Sequence, residues 1–295
     1  MAWVSSGKQK ERFGFIERFC SDLSVRYLCN WLGVSPQGFY QWRGRGLSDR
    51  AKKNQDLSSK IKRIFEESGT SYGSPRVHAQ LLREGEKVSR GRVERLMREA
   101  GLVGKAARIY RRKAVKKALY YSLPNLRLDI PEPDGIDQQW VGDITYLKVS
   151  GQWRYLAVVM DLYSRRVIGW KLGKHRTAEV TRGALRQALS HRKVGSGLIF
   201  HTDRDAEYGA WLLRNELKRH GMLSSMNRAE SVTDNAHMES FFRSMKTEKT
   251  KGVEFKTEHD LRMALSSYID DFYNTKRLHS SLDFKTPVEY ERMDV

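Results

Sequence analysis

Cysteine is nearly absent from this chain: Cys20 and Cys29 are the only two in 295 residues, and no CxxC or Cys/His cluster surrounds them. A disulfide framework is thereby excluded, a zinc site is disfavoured, and a reducing cytosol is the expected compartment. No run of about 18 apolar residues exists, so no membrane span is expected. The opening stretch MAWVSSGKQKERFGF lacks the apolar core of a signal peptide. There is no internal repeat, no low-complexity tract, and no heptad run of leucines at the start. Acid is also in short supply. Against 54 Lys and Arg stand 35 Asp and Glu, a net charge of +19.

The basic excess is uneven. Residues 1–138 hold 28 basic and 15 acidic side chains, and residues 139–295 hold 26 and 20. A surplus of that size in one half points to a polyanion, with nucleic acid the first candidate. Solubility alone asks for less charge. Hydrophobic residues make up 39% of the chain and charged ones 30%. That balance supports packed cores and argues against wholesale disorder.

The first half reads as helices. In SVRYLCNWLGVSPQGFYQWR, the apolar residues Val25, Leu28, Trp31 and Leu32 lead to Gly33, and then Ser35 and Pro36 suit the cap and first turn of a second helix. This is a helix-turn-helix pattern, or an ordinary helical hairpin. A long helix over about 48–68 follows. Next, Pro75 opens a helix carrying Arg76, Val77, Leu81 and Leu82, which Gly85 breaks. Ser89 caps another helix, with Val93, Leu96 and Met97 as its apolar stripe and Gly101 at its end. Arg90, Arg92, Arg95 and Arg98 decorate that helix. The second helix of a helix-turn-helix enters the major groove, where arginines meet phosphates and guanine edges. The plain alternative is a solvated basic face. Residues 104–120 carry seven Lys or Arg and no acid, as a linker across a phosphate backbone would. Three prolines and a glycine within 124–135 mark a boundary.

Past that boundary the periodicity changes. Strands are expected at 139–148, 153–160 and 166–172, then a helix over 177–190, a strand at 197–200, a helix over 208–220, a short strand at 223–225, and helices from about 235 and 258. Three adjacent strands followed by alternating helices and strands make a mixed α/β sheet flanked by helices. The expected organisation is 1–50, a first helix-turn-helix segment; 51–104, a second; 105–135, a basic and proline-rich linker; and 136–295, a mixed α/β domain with a helical extension.

Three acids stand where acid is out of place. Asp143 interrupts an apolar strand, Asp203 follows the apolar strand GLIFHT, and Glu239 lies among Met238, Phe241 and Phe242 early in a helix. A buried carboxylate needs a partner. Three that converge repel one another unless cations lie between them, and hard cations such as Mg2+ take carboxylate oxygens. Taken singly, each acid could be a cap, an ion pair or a solvated group. Asn235, Glu239, Arg243 and Lys246 share one helix face at about 100° per residue. Lys246 could there hold a phosphate beside a metal.

Together WVGDITYL, HTDRDAEY, TDNAHMESFFRSMKTE and YNTKRLHSSLDFKTPVEYE resemble the group-three insertion-sequence transposases of the DDE transposase and retroviral integrase superfamily. YGSPRVHAQLL and VSRGRVERLMREAGL resemble the helix-turn-helix that precedes their catalytic core. The resemblance spans nearly the whole chain, with 35 residues between Asp203 and Glu239. It implies a ribonuclease-H-like core in which Asp143, Asp203 and Glu239 bind two Mg2+ ions, Mn2+ substituting, and in which Lys246 is the basic residue beside them. It implies hydrolytic nicking at the element's ends and attack of the freed 3′-hydroxyl on a phosphodiester. The expected DNA contacts are Arg76, Arg90, Arg92, Arg95 and Lys246. Expected partners are double-stranded DNA (the terminal inverted repeats and the target), a second copy of the chain, and an upstream DNA-binding and leucine-zipper product. The expected place of action is the bacterial cytoplasm, at the nucleoid. Asp205-Ala206-Glu207 depart from the family's small residue, Ser and Gln, which makes Asp205 a rival ligand. A ribonuclease-H-like nuclease and a non-catalytic DNA-binding repressor are the other open readings; an acid triad discriminates against the second.

Overall fold

The structure, a computed structural model, describes residues 9–44, 49–105, 123–228 and 233–293. Most of the basic stretch 104–120 lies outside the described residues, as does part of the loop before Asn235. The chain divides into two compact units, residues 1–62 and 63–295.

In the first unit, α1 (Gln9–Phe19), α2 (Val25–Leu32) and α3 (Pro36–Gly44) bury Phe13, Ile16, Leu28, Cys29, Leu32 and Phe39 together. Cys29 serves as a small apolar side chain. Gly33 closes α2 at φ 65, and the Ser35 hydroxyl accepts the Gly38 N–H at 2.9 Å. The expected helix, glycine turn and capped helix are therefore present.

A long helix, α4 (Asp49–Glu67), runs across the boundary between the units. In the second unit, α5 (Ser74–Arg83) and α6 (Arg90–Glu99) bury Val77, Leu81, Val93, Leu96 and Met97. Leu82 lies about 100° further round α5 than Leu81 and is exposed. This helical pair is tied to the far end of the chain. The Tyr72 hydroxyl donates to the Lys276 carbonyl and accepts the Leu278 N–H, and Arg76 Nε donates to the Leu278 carbonyl at 2.8 Å.

The remaining elements are β1 (Gln139–Val149), β2 (Gln152–Asp161), β3 (Val167–Gly173), α7 (Ala178–His191), β4 (Ile199–Thr202), α8 (Ala206–Gly209), α9 (Trp211–Arg219), β5 (Leu223–Met226), α10 (Ala236–Met245), α11 (Glu258–Ser266) and α12 (Pro287–Glu291). The sheet order is β3-β2-β1-β4-β5, with β1, β2 and β3 antiparallel and β1, β4 and β5 parallel. This is the ribonuclease-H-like arrangement that the motifs imply.

Strand alternation sorts the core onto two faces. Val141, Leu147, Val149, Leu156, Val158 and Met160 meet Met238, Phe241, Phe242 and Met245 of α10 and Leu261 and Leu265 of α11. Trp140, Ile144, Ala157, Val159 and Phe200 meet residues of α7 and α9. Each such side chain adds about 1.5–3 kcal/mol on burial, before entropy is counted.

Two features differ from the expected elements. The helix expected over 208–220 is broken at Ala210, which is extended at ψ 140. The break lets Tyr208 and then Leu213 and Leu217 enter the same core, which one straight helix would not allow. Second, α10 and α11 each continue into a π-helical turn, Lys246–Thr250 and Ser267–Tyr273. Facing side chains of these turns and the tail form a buried ion pair, Glu248 with Arg277, at 2.7 Å, and the Tyr268 hydroxyl donates to Glu248 at 2.7 Å. Removing one partner of a buried pair strands the other. Glu248→Ala is expected to cost about 3–5 kcal/mol of stability, read by urea denaturation, well above an exposed glutamate replaced elsewhere.

Candidate active site

Parallel pairing of β1 with β4 sets the site. The register runs Gln139↔Ile199, Trp140↔Phe200, Val141↔His201 and Gly142↔Thr202, so the next residues along are Asp143 and Asp203. Paired positions on neighbouring strands share a face. Asp143 and Asp203 thus follow Val141 and His201 on the face that α10 covers. Asp143 is 8% exposed. Its Oδ1 accepts the N–H of Ile144 at 2.7 Å, and Asp203 Oδ1 accepts the N–H of Asp205 at 3.0 Å.

Gly142 leaves room for the Phe200 ring on the other face of the sheet. A Cβ there would lie 2.7 Å from Phe200 Cζ. His201 anchors the end of β4. Its Nε2 lies 2.7 Å from Asn227 Oδ1, an acceptor, and its Nδ1 lies 2.8 Å from the Ser225 hydroxyl. Burial, and then the nearby Arg127, push its pKa down to about 4, so the ring is neutral near pH 7. A neutral ring with Nε2–H donating leaves Nδ1 to accept from Ser225.

Glu239 arrives on α10, whose start is stitched to β1. Asn235 Nδ2 donates to the Gly142 carbonyl at 3.2 Å. Asp234 accepts from the Arg228 backbone N–H at 2.9 Å, the Arg228 guanidinium at 3.0 Å and Asn125 Nδ2 at 3.0 Å. Arg127 donates to the Asp234 carbonyl and to Gln139 Oε1, each at 3.0 Å. Asn125 and Arg127 fall within the stretch expected to be a linker, and their side chains bond to Asp234 and Gln139. Glu239 lies one helical turn beyond Asn235 and is half-buried. The Lys246 ammonium stands 4.7 Å from the centre of the Tyr146 ring, three residues beyond Asp143 on β1.

The surroundings are rich in oxygen. Thr145 Oγ1, Asn235 Oδ1 and Glu207 Oε2 are buried without a hydrogen-bond partner among the described residues. Such a set suits a hard cation and its waters better than a soft one. Among the described residues, no group of three or more His, Cys, Asp or Glu side chains is assembled to hold a metal ion. The arrangement is therefore two aspartates abreast, with the glutamate on the adjoining helix.

The two extra acids beside Asp203 have a counter-charge that the sequence did not advertise. Arg176, between β3 and α7, pairs with Asp205 and lies 3.1 Å from Glu207 Oε1. Asp205, the rival ligand, is thus answered by a guanidinium. The Tyr208 hydroxyl packs beneath; burial first, then Asp143, Asp203 and Glu207, raise its pKa well above the ordinary range.

Of the arginines expected on DNA, Arg90 and Arg95 are exposed on α6 and Arg92 is half-buried. Arg95 and Arg98 lie 3.6 Å and 3.5 Å from Glu99 and Glu94. Such exposed pairs contribute little and yield readily to phosphate. Arg76 differs: it turns inward to the tail.

An integrase core domain family matches residues 134–231, a second integrase core model matches 220–287, and an HTH-like domain matches 52–113. Transposase InsF for insertion sequence IS3A of Escherichia coli (strain K12) is 34% identical over 289 residues, 96% of this chain and 99% of that protein. The chain belongs to the IS3 family of transposases. A transposase for insertion sequence element IS904 of Lactococcus lactis subsp. lactis (strain IL1403) is also 34% identical, over 84% of this chain and 98% of that protein. Among solved structures, the HTLV-2 integrase catalytic core domain in complex with magnesium, in its trimeric form, is 16% identical with a TM-score of 0.41, over 54% of this chain and 98% of that one. The protein is a DDE-type DNA transposase: an integrase core, which is a polynucleotidyl transferase, joined to a helix-turn-helix-like DNA-binding segment. No helix among the described residues of the transposase is long and apolar enough to cross a membrane.

Gly142 supplies a direct test of the packing beneath the site. Gly142→Ala is expected to destabilise the protein by about 1–3 kcal/mol, as overpacking does, and to lower strand transfer with it. Denaturation and joining assays on one preparation would check both.

Proposed function

We propose that Asp143, Asp203 and Glu239 are the metal-binding triad of this transposase, holding two Mg2+ ions, with Mn2+ able to replace them. The observation that carries this reading is the register that brings Asp143 and Asp203 abreast, beside a helix whose start is bonded to Gly142. When bound, such ions activate a water or a 3′-hydroxyl and stabilise the leaving oxygen of a phosphodiester. The protein's part is positioning. His201, neutral and bonded on both ring nitrogens, fixes the end of β4 and so the Asp203 carboxylate. Asn235 and Asp234 fix the start of α10 and so Glu239. Arg176 compensates Asp205 and Glu207, so the charge of these two extra acids is met within the protein. Lys246 receives a phosphate flanking the scissile bond, and Tyr146 holds its ammonium beside β1.

The remaining parts follow from the same division of labour. Residues 51–104 bind the duplex end through Arg90, Arg92 and Arg95, and residues 1–50 add a second helix-turn-helix contact. Residues 105–135 link them to the catalytic core of residues 136–295. Two element ends must meet, so the working form on DNA is at least a dimer, and an upstream DNA-binding product is a candidate partner.

The deciding experiment is a strand-transfer assay on labelled duplexes carrying the source element's ends. With Mg2+ or Mn2+ the protein is expected to nick and join them. Asp143→Asn should retain binding but lose about a thousandfold in rate, three tenfold steps of about 1.4 kcal/mol each. Cleavage at the original rate in that variant would remove Asp143 from the site. A separate measurement addresses α6. Log affinity should fall linearly with log salt, and replacing Arg90 and Arg95 by alanine should reduce the slope by roughly 0.9 for each phosphate no longer neutralised. An unchanged slope would place the phosphates elsewhere.

A further inference from the structure

A cavity of about 130 Å³ opens on the side of α10 away from Glu239. At about 100° per residue, its lining residues His237, Ser240, Phe241 and Ser244 gather on one side of the helix, and Glu239 and Lys246 lie nearly opposite. The cavity is therefore separate from the metal-binding face. Its other walls bring three arginines: Arg76 from α5, Arg165 from the turn between β2 and β3, and Arg277 from the tail.

These charges are not equally answered. Arg277 is held by Glu248 at 2.7 Å. Arg76 donates through Nε to a neutral carbonyl, that of Leu278. Arg165 feels Glu132 and Asp161 through space, but its Nη1 is buried with no hydrogen-bond partner among the described residues. The turn holds Arg165 at φ 60, a left-handed conformation that is unfavourable for a residue with a side chain. His279 closes the set. It is 8% exposed, and its Nε2 also lacks a partner among the described residues. A buried donor without a partner is unfavourable, and the Arg165 guanidinium lines a hollow that holds two further arginines and an imidazole, a surplus of positive charge that calls for an anion.

We propose that this cavity is a phosphate-group site. Arg165 Nη1 and Arg76 are its charged donors, with the hydroxyls of Ser240 and Ser281 at its rim. Burial and the charges of Arg277 and Arg76 keep His279 neutral, its pKa down to about 3. A bound anion offsets that field, favours the protonated ring, and turns Nε2 into a donor. The phosphate chemistry has two sources, a phosphodiester of bound DNA or a free anion. Because Arg76 belongs to the helix-turn-helix-like segment and α10 to the core, an anion here would tie the two together.

The test titrates inorganic phosphate into the full-length protein at constant ionic strength and follows the His279 imidazole by NMR, with chloride as the control. A saturable shift with phosphate alone is expected. Arg165→Asn removes the guanidinium and keeps a residue that tolerates the left-handed backbone. Ser240→Asp adds a carboxylate at an exposed position. Each should weaken phosphate binding at least tenfold. If duplex DNA displaces the phosphate and Arg165→Asn lowers the salt slope of DNA binding by about 0.9, the ligand is a DNA phosphodiester. If DNA leaves bound phosphate in place, the ligand is a free anion. Equal shifts with chloride, or saturation unaltered in both variants, would overturn the site. The phosphate arm involves no cleavage, so it stands or falls apart from the metal-triad reading.

Discussion

The pairing of Gly142 with Thr202 is the constraint on which the rest depends. Parallel strands joined at that register make Asp143 and Asp203 the next residue along each chain. Phe200 and Tyr208 fill the space that a Cβ on residue 142 would need. The Gly142 carbonyl also receives Asn235, so the same residue that makes room for Phe200 helps to fix the start of α10. One glycine thus serves both the packing of Phe200 and the placement of α10.

Helix α10 works as a three-sided beam. Met238, Phe241, Phe242 and Met245 face the sheet and contribute burial energy. Glu239 and Lys246 occupy a second side and the arginine-lined cavity a third. A shift of the helix would alter all three, and this explains the effort spent holding its ends. Asp234 and Asn235 fasten one end through Arg127, Arg228 and β1, and the π-helical turn beyond Lys246 brings Glu248 to Arg277 at the other. The buried Glu248–Arg277 pair is balanced internally and so leaves the excess positive charge of the cavity to Arg76 and Arg165.

Charge has two different uses in this chain. On α6, arginines are exposed and paired loosely with glutamates, an arrangement that phosphate can displace at low cost. Inside the second unit, arginines are desolvated, and each unmet hydrogen-bonding atom raises the free energy of the unliganded state. The basic surplus reads as one property in composition, yet the fold separates exposed arginines such as Arg90 and Arg95 from desolvated ones such as Arg165 and Arg277.

Local chemistry was enough to determine much of this protein. Ser35, Ser89 and Gly33 cap or close their helices because those functions depend on near neighbours alone. Asp143 stood out because an acid within an apolar strand is costly wherever the strand goes, and the motifs around it, Asp203 and Glu239 identified the family. Tertiary structure alone decided the partners that are far apart in sequence. Arg176 with Asp205 and Glu207, Arg127 with Asp234, Glu248 with Arg277, and Arg76 with Leu278 are separated by 29 to 202 positions where the last two are concerned. No periodicity connects such residues. A charged side chain on a helix looks the same in sequence whether it faces water or a buried carboxylate; only the packed chain fixes which of the two it meets.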